Sequence, residues 1–254
     1  MRPLLVVVLA VALTGCASTP RQVDSTSPEI NPRDPMAATI LMQQGQALLA
    51  DGKAEAALAK HRAALKLQPN NPTAHNMVGL ALLQLGDGAA ALKSFSNALT
   101  LAPSYSDARN NRGVAYLRLG QSSLAEADFL AVLGDRTYAN RAGVLYNLGS
   151  LYFARGNLAS AEENLKRAAV PSGPLEAYLL YAQIEERLGR PEIAESAYHE
   201  AMARAPERAD VPMALGKLLE SLGRVEEARQ LYRRVISLAP NSPEAAEARG
   251  RLGG

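Results

Sequence analysis

The chain has 254 residues, with 27 basic and 25 acidic side chains, three histidines and a single cysteine. So even a balance, without any long run of Lys and Arg, excludes a nucleic-acid footprint and a polybasic lipid-binding face. One cysteine excludes an intrachain disulfide, so packing alone must stabilise the fold.

At the N-terminus Arg2 precedes an unbroken apolar run from Leu4 to Leu13 and then small residues, the layout of a secretory signal. Ten apolar residues are too few to span a bilayer, which takes about 20. The tetrapeptide Leu13-Thr14-Gly15-Cys16 resembles the lipobox of bacterial lipoproteins. That resemblance implies a signal peptide over 1–15, diacylation of the Cys16 sulfur, cleavage before it and acylation of the new amino terminus. The alternative is an ordinary signal peptide with a cysteine there by chance. Several acyl chains, at about 0.8 kcal/mol per buried methylene, hold a membrane far better than one. Ala17, rather than Asp, follows the cysteine. By resemblance to Gram-negative sorting rules this implies the outer membrane, with the chain facing the periplasm. Cleavage removes Arg2 and leaves 26 basic against 25 acidic side chains.

Residues 17–36 contain four prolines and few large apolar side chains. Such a segment cannot bury a core and is expected to be a disordered tether, which runs over 16–36 when Cys16, lipidated as the lipobox resemblance implies, is counted with it. Fully extended, it reaches at most about 70 Å.

From residue 37 the chain repeats itself. Small residues recur at Gly45, Gly79, Gly113, Gly149, Ala182, Gly216 and Gly250, spaced 34, 34, 36, 33, 34 and 34. A turn glycine follows seven residues later in each unit, at Gly52, Gly86, Gly120, Gly156, Gly189 and Gly223. This is the period of a helix-turn-helix solenoid. A second small residue recurs at Ala57, Ala91, Ala125, Ala161, Ala194 and Ala228. One helical turn on, a large side chain faces the same way at Phe95, Phe129, Leu165, Tyr198 and Tyr232, with His61 the odd member of the set. Pro69, Pro103, Pro206 and Pro240 close four units.

These residues at these places resemble the tetratricopeptide repeat. The fold expected is all-α: a right-handed superhelical solenoid of six repeats over about 38–71, 72–105, 106–141, 142–174, 175–208 and 209–242. A capping helix over 243–252 begins at Ser242-Pro243-Glu244, a capping serine, a first-turn proline and an acid at the positive end of the dipole. The repeat domain as a whole runs over 37–254. The third unit lacks its proline and carries two extra residues around Gly134–Asn140. Either stacking is reset there, giving two blocks of three repeats, or the loop is a tolerated insertion.

Function in such a solenoid falls on the inner face of the first helices. The candidate partner-binding groove comprises Asn76, Leu80, Leu83, Asn110, Asn111, Val114, Leu117, Tyr146, Asn147 and Phe153. Carboxamides can satisfy a partner's backbone while the apolar strip provides desolvation. Asparagine costs helix propensity, so two roles are open for these amides: contact with a partner, or bonding between neighbouring repeats. Arg118 alone is not a carboxylate clamp. Neither catalysis, metal nor cofactor is expected, and no small-molecule substrate, because His61, His75 and His199 fall at unrelated repeat positions. The pairs Glu185-Glu186 and Glu226-Glu227 read as solvated charged faces.

Asn110-Asn111-Arg112-Gly113, Ala125-Glu126-Ala127-Asp128-Phe129, Tyr138 and Tyr146-Asn147-Leu148-Gly149, combined with the lipobox and six repeats, resemble the PilF/PilW/Tgl group of type IV pilus lipoproteins, the secretin pilotins. The resemblance implies binding of pilus secretin subunits along the groove and help in their outer-membrane assembly. The alternatives are a tight-adherence pilus lipoprotein, or a scaffold for cell-wall enzymes or outer-membrane protein assembly.

Overall fold

The computed structural model describes residues 36–253; the signal run, Cys16 and the tether up to Pro35 lie outside the described residues. Among the described residues the chain forms thirteen α-helices and no strand. It divides into two compact units between Ala139 and Asn140, within the lengthened junction. The N-terminal unit pairs α1 (Ala37–Ala50) with α2 (Ala54–Leu67), α3 (Pro72–Gln84) with α4 (Gly88–Leu101), and α5 (Ser106–Arg118) with α6 (Ser122–Gly134). The C-terminal unit pairs α7 (Arg141–Ala154) with α8 (Leu158–Ala168), α9 (Leu175–Arg187) with α10 (Pro191–Arg204), and α11 (Asp210–Ser221) with α12 (Val225–Leu238), then ends in α13 (Pro243–Gly253). None of these helices is long and apolar enough to cross a membrane.

Local sequence sets the helix ends. Asn71 accepts a hydrogen bond from the Ala74 amide at 3.1 Å with Pro72 in the first turn, and Asp87, Asn140, Asn157 and Ser242 cap α4, α7, α8 and α13 in the same way. Each hairpin turns at a glycine; Gly86 has φ of +84°, a left-handed conformation that costs other residues a steric clash. The turn also satisfies the last carbonyls of α3, since the Asp87 amide donates to Leu82 at 2.9 Å and the Gly86 amide to Leu83 at 3.1 Å.

Within a pair, a register glycine lets the filler of the second helix come closer than a Cβ would allow, the fifth repeat with its Ala182 being the exception. A Cβ on Gly79 would lie 2.4 Å from the Phe95 ring, and one on Gly113, Gly149 or Gly216 would lie 2.6 Å from Phe129, Leu165 or Tyr232. These fillers are at most 1 % exposed. Within each unit, a second helix packs on its own first helix and on the helix that follows it, as α2 does on α3 and α8 on α9, while first helices also touch one another, α3 meeting both α1 and α5. A continuous core results in the N-terminal unit, in which Leu58, Val78, Leu82, Leu83 and Phe95 cluster and Leu49, Leu80 and Val114 pack against them.

Candidate functional site

The structure treats the ten candidate groove residues unequally. Asn76, Leu83 and Tyr146 are buried, whereas Leu80, Asn110, Asn111, Val114, Leu117, Asn147 and Phe153 are half-buried. Asn76, on α3, accepts from the Asn111 amide of α5 at 3.0 Å and itself donates to the Tyr105 hydroxyl at 3.4 Å. Those two asparagines therefore join neighbouring repeats, a pairing that their 35-residue separation places side by side on adjacent first helices. Arg118 donates to the Leu83 carbonyl, one repeat back, and burial lowers its pKa. In the C-terminal unit the Phe153 ring lies under the Arg187 guanidinium, 4.5 Å from the ring centroid. The face left to a partner in the N-terminal unit is thus mainly aliphatic, carried by Leu80, Val114 and Leu117.

Two features escaped the sequence reading. Arg112 grips Asp128 with two parallel bonds of 2.7 and 2.8 Å, and the carboxylate is almost wholly buried. This bond, the first cause, raises the Arg112 pKa. In the lengthened junction Ser106 donates to Asp135 at 2.7 Å and the Tyr138 hydroxyl donates to Asp107 at 2.9 Å, so the loop is tied to the start of α5. Burial, with the Asp107 charge beside it, pushes the Tyr138 phenol above its ordinary pKa.

The expectation of a solvated Glu185-Glu186 face needs correction. Glu185 is fully buried, 3.4 Å from Arg190, which also binds Glu162 of α8 at 2.7 Å. Glu185 occupies the place, three residues after the register residue, that Leu48, Leu82 and Leu219 hold in other repeats. Tyr116 and Tyr152 hold it in the remaining two, so an apolar or aromatic side chain at this place is the signal that it turns inward. Burial first, and the Glu185 carboxylate second, push the neighbouring Tyr181 phenol up to about 12. Glu186 is exposed and accepts from the hydroxyl of the buried filler Tyr198 at 2.6 Å.

The histidines are scattered: His61 fills the first-repeat slot, His75 sits 3.0 Å from the Pro69 carbonyl, and His199 lies 3.6 Å from Glu195. Among the described residues no three His, Cys, Asp or Glu side chains are placed to hold a metal ion. What the arrangement offers chemically is surface for another polypeptide.

A tetratricopeptide-repeat family model matches six overlapping segments, residues 33–72, 42–106, 76–142, 110–177, 146–192 and 179–243. No curated protein matches the sequence. Among solved structures, PilW, described as a widely conserved type IV pilus biogenesis factor, is similar at 24 % identity and a TM-score of 0.72, over 82 % of this chain and 96 % of that one. The pilF protein of Pseudomonas aeruginosa is similar at 20 % identity and 0.73, over 84 % and 97 %. YrrB, a repeat protein with an unusual peptide-binding site, is similar at 19 % and 0.56, over 75 % and 97 %. At these identities the likeness is one of fold.

Proposed function

The chain belongs to the tetratricopeptide repeat family, and on that premise we propose that it is a non-catalytic, lipid-anchored periplasmic scaffold that promotes secretin assembly in the outer membrane for type IV pili and pilus-dependent motility. The observation that carries this reading is the end-to-end likeness to two pilus proteins, 96 % and 97 % of whose lengths are matched. The Leu13-Thr14-Gly15-Cys16 motif supports anchoring through acyl chains on Cys16. Contact with secretin subunits is assigned to the half-buried apolar residues Leu80, Val114 and Leu117, with Phe153 a contact in the other unit. Asn76 and Asn111, engaged with each other, are assigned to ordering the stack.

A deletion strain tests the proposal. Heat-resistant secretin multimers should vanish from isolated outer membranes while subunits persist, and should return when the gene is restored. Restoration with Cys16→Ser should yield soluble, folded protein. Normal multimers in the deletion strain would sink the secretin role, and a membrane-bound Cys16→Ser protein would sink the anchor.

A further inference from the structure

The filler of the first slot differs chemically from the others. His61 lies against Gly45, where a Cβ would come within 2.4 Å of its ring, and the side chain is 0 % exposed. Neither Nδ1 nor Nε2 has a hydrogen-bond partner among the described residues. Other polar fillers are satisfied: Tyr198 donates to Glu186 at 2.6 Å and Tyr232 to Glu220 at 2.8 Å. A neutral imidazole leaves one donor and one acceptor idle in this slot; a protonated one would leave two donors idle and add a charge.

No carboxylate stands ready to meet that charge. Helix α2 packs against α1 and α3. The α1 sequence contains no titratable residue, and the one titratable group of α3, His75, is placed at the Pro69 carbonyl. On α2 itself Glu55, Arg62 and Lys66 are exposed and Lys60 is half-buried. In the α1–α2 turn Asp51 and Lys53 are exposed and pair with each other at 3.4 Å. One turn from His61 in either direction α2 presents Ala57, Leu58, Ala64 and Leu65.

We propose that His61 is an acid-sensitive latch: its protonation is incompatible with the closed slot, so mild acid releases α1 from α2 while α4–α6 and the C-terminal unit remain folded. Helix α1 is suited to release, because among the described helices it packs on α2 and α3 alone, whereas α3 meets α1, α2, α4 and α5. Its departure removes Leu49 from the core formed by Leu58, Val78 and Leu82. The latch is a property of the first repeat and does not depend on the pilus reading.

Burial lowers the imidazole pKa from 6.5 to about 4. A group with a folded pKa below its unfolded value contributes fully above the unfolded one, and that contribution fades as the pH falls from 6.5 towards 4. Carboxyls elsewhere act in a lower window. Asp135, Asp210, Glu220, Glu227 and Glu247 are held below their ordinary values by hydrogen bonds from Thr137, Arg208, Tyr232, Arg224 and Lys217, and lose their contribution only in stronger acid.

Hydrogen exchange of the full chain, read by mass spectrometry at pH 7.5 and 5.0 and corrected for intrinsic rates, tests the latch. Amides of α1 and α2 should exchange about tenfold faster at the lower pH, with α4–α6 and the C-terminal unit unchanged. His61→Phe, which copies the second and third repeats, should abolish the response. His61→Leu, which copies the fourth, does the same should the phenylalanine fail to fit. Equal protection of wild-type α1 and α2 at both pH values overturns the latch, as does an acid response retained in a folded variant.

Discussion

A single methyl group distinguishes two kinds of glycine in the repeat register. At Gly79 a Cβ would sit 2.4 Å from the Phe95 ring, whereas at Gly250 it would meet nothing within 4 Å. The difference follows from position: among the described residues no helix follows α13, and nothing fills the slot opposite Gly250. Alanine gains about 1 kcal/mol over glycine in a helix interior, and overpacking a core costs about 1–3 kcal/mol. Gly79→Ala should therefore lower the melting temperature by several degrees despite better helix propensity, and Gly250→Ala should leave it unchanged or raise it. Thermal denaturation followed by circular dichroism checks both. A stabilised Gly79→Ala protein would contradict the close approach of α3 and α4.

Helix pairs carry a correlation of their own. Four residues after each register residue stand Leu49, Leu83, Leu117, Phe153, Glu186 and Glu220, and the fillers of the same repeats are His61, Phe95, Phe129, Leu165, Tyr198 and Tyr232. Glutamate occurs where the filler is tyrosine, and in both cases the hydroxyl donates to it. An apolar residue accompanies each filler that lacks a hydroxyl. The change of inner-face chemistry between the fourth and fifth repeats thus has a structural cause inside the helix pair. Glu186→Leu should cost about 1–2 kcal/mol by leaving the Tyr198 hydroxyl unpaired, and adding Tyr198→Phe should recover most of that loss. Urea midpoints of the two single variants and the double variant measure it, and simple additivity would remove the coupling. The same logic separates what was legible in the sequence from what was not. Period and register placed the glycines, fillers and turns, because a 34-residue spacing brings equivalent side chains to equivalent slots. The groove amides were ambiguous because a carboxamide bonds equally well to a partner or to the next repeat, and only the folded structure shows Asn76 meeting Asn111. Asp128 and Arg112, sixteen residues apart, have the same spacing as Gly113 and Phe129, so their contact was available from the register. Much of the stretch that resembles pilus lipoproteins is thereby engaged inside the third repeat.

For the molecule as a whole, the division between Ala139 and Asn140 raises the question of how far cooperativity extends. In a solenoid, stability is a sum of repeat terms and nearest-neighbour interfaces, and about three repeats suffice to bury a core. Each unit contains three hairpins, α1–α6 on one side and α7–α12 on the other, so each meets that minimum. Their reinforcement also differs in kind. The N-terminal unit relies on the aliphatic cluster around Leu82 and Phe95, while the C-terminal unit adds inter-repeat ion pairs, Arg190 with Glu162 at 2.7 Å and Arg224 with Glu195 at 2.6 Å. These pairs are partly exposed and weaken with salt. The full chain should accordingly melt in two transitions, with Gly79→Ala lowering one and Gly216→Ala, which would drive a Cβ to 2.6 Å from Tyr232, lowering the other. Added salt should move the transition sensitive to Gly216→Ala more than its companion. Differential scanning calorimetry of the wild type and both variants distinguishes the cases. A single transition shifted equally by either substitution would mean that the two units unfold as one cooperative block, and would overturn the division at Ala139 as a boundary of stability.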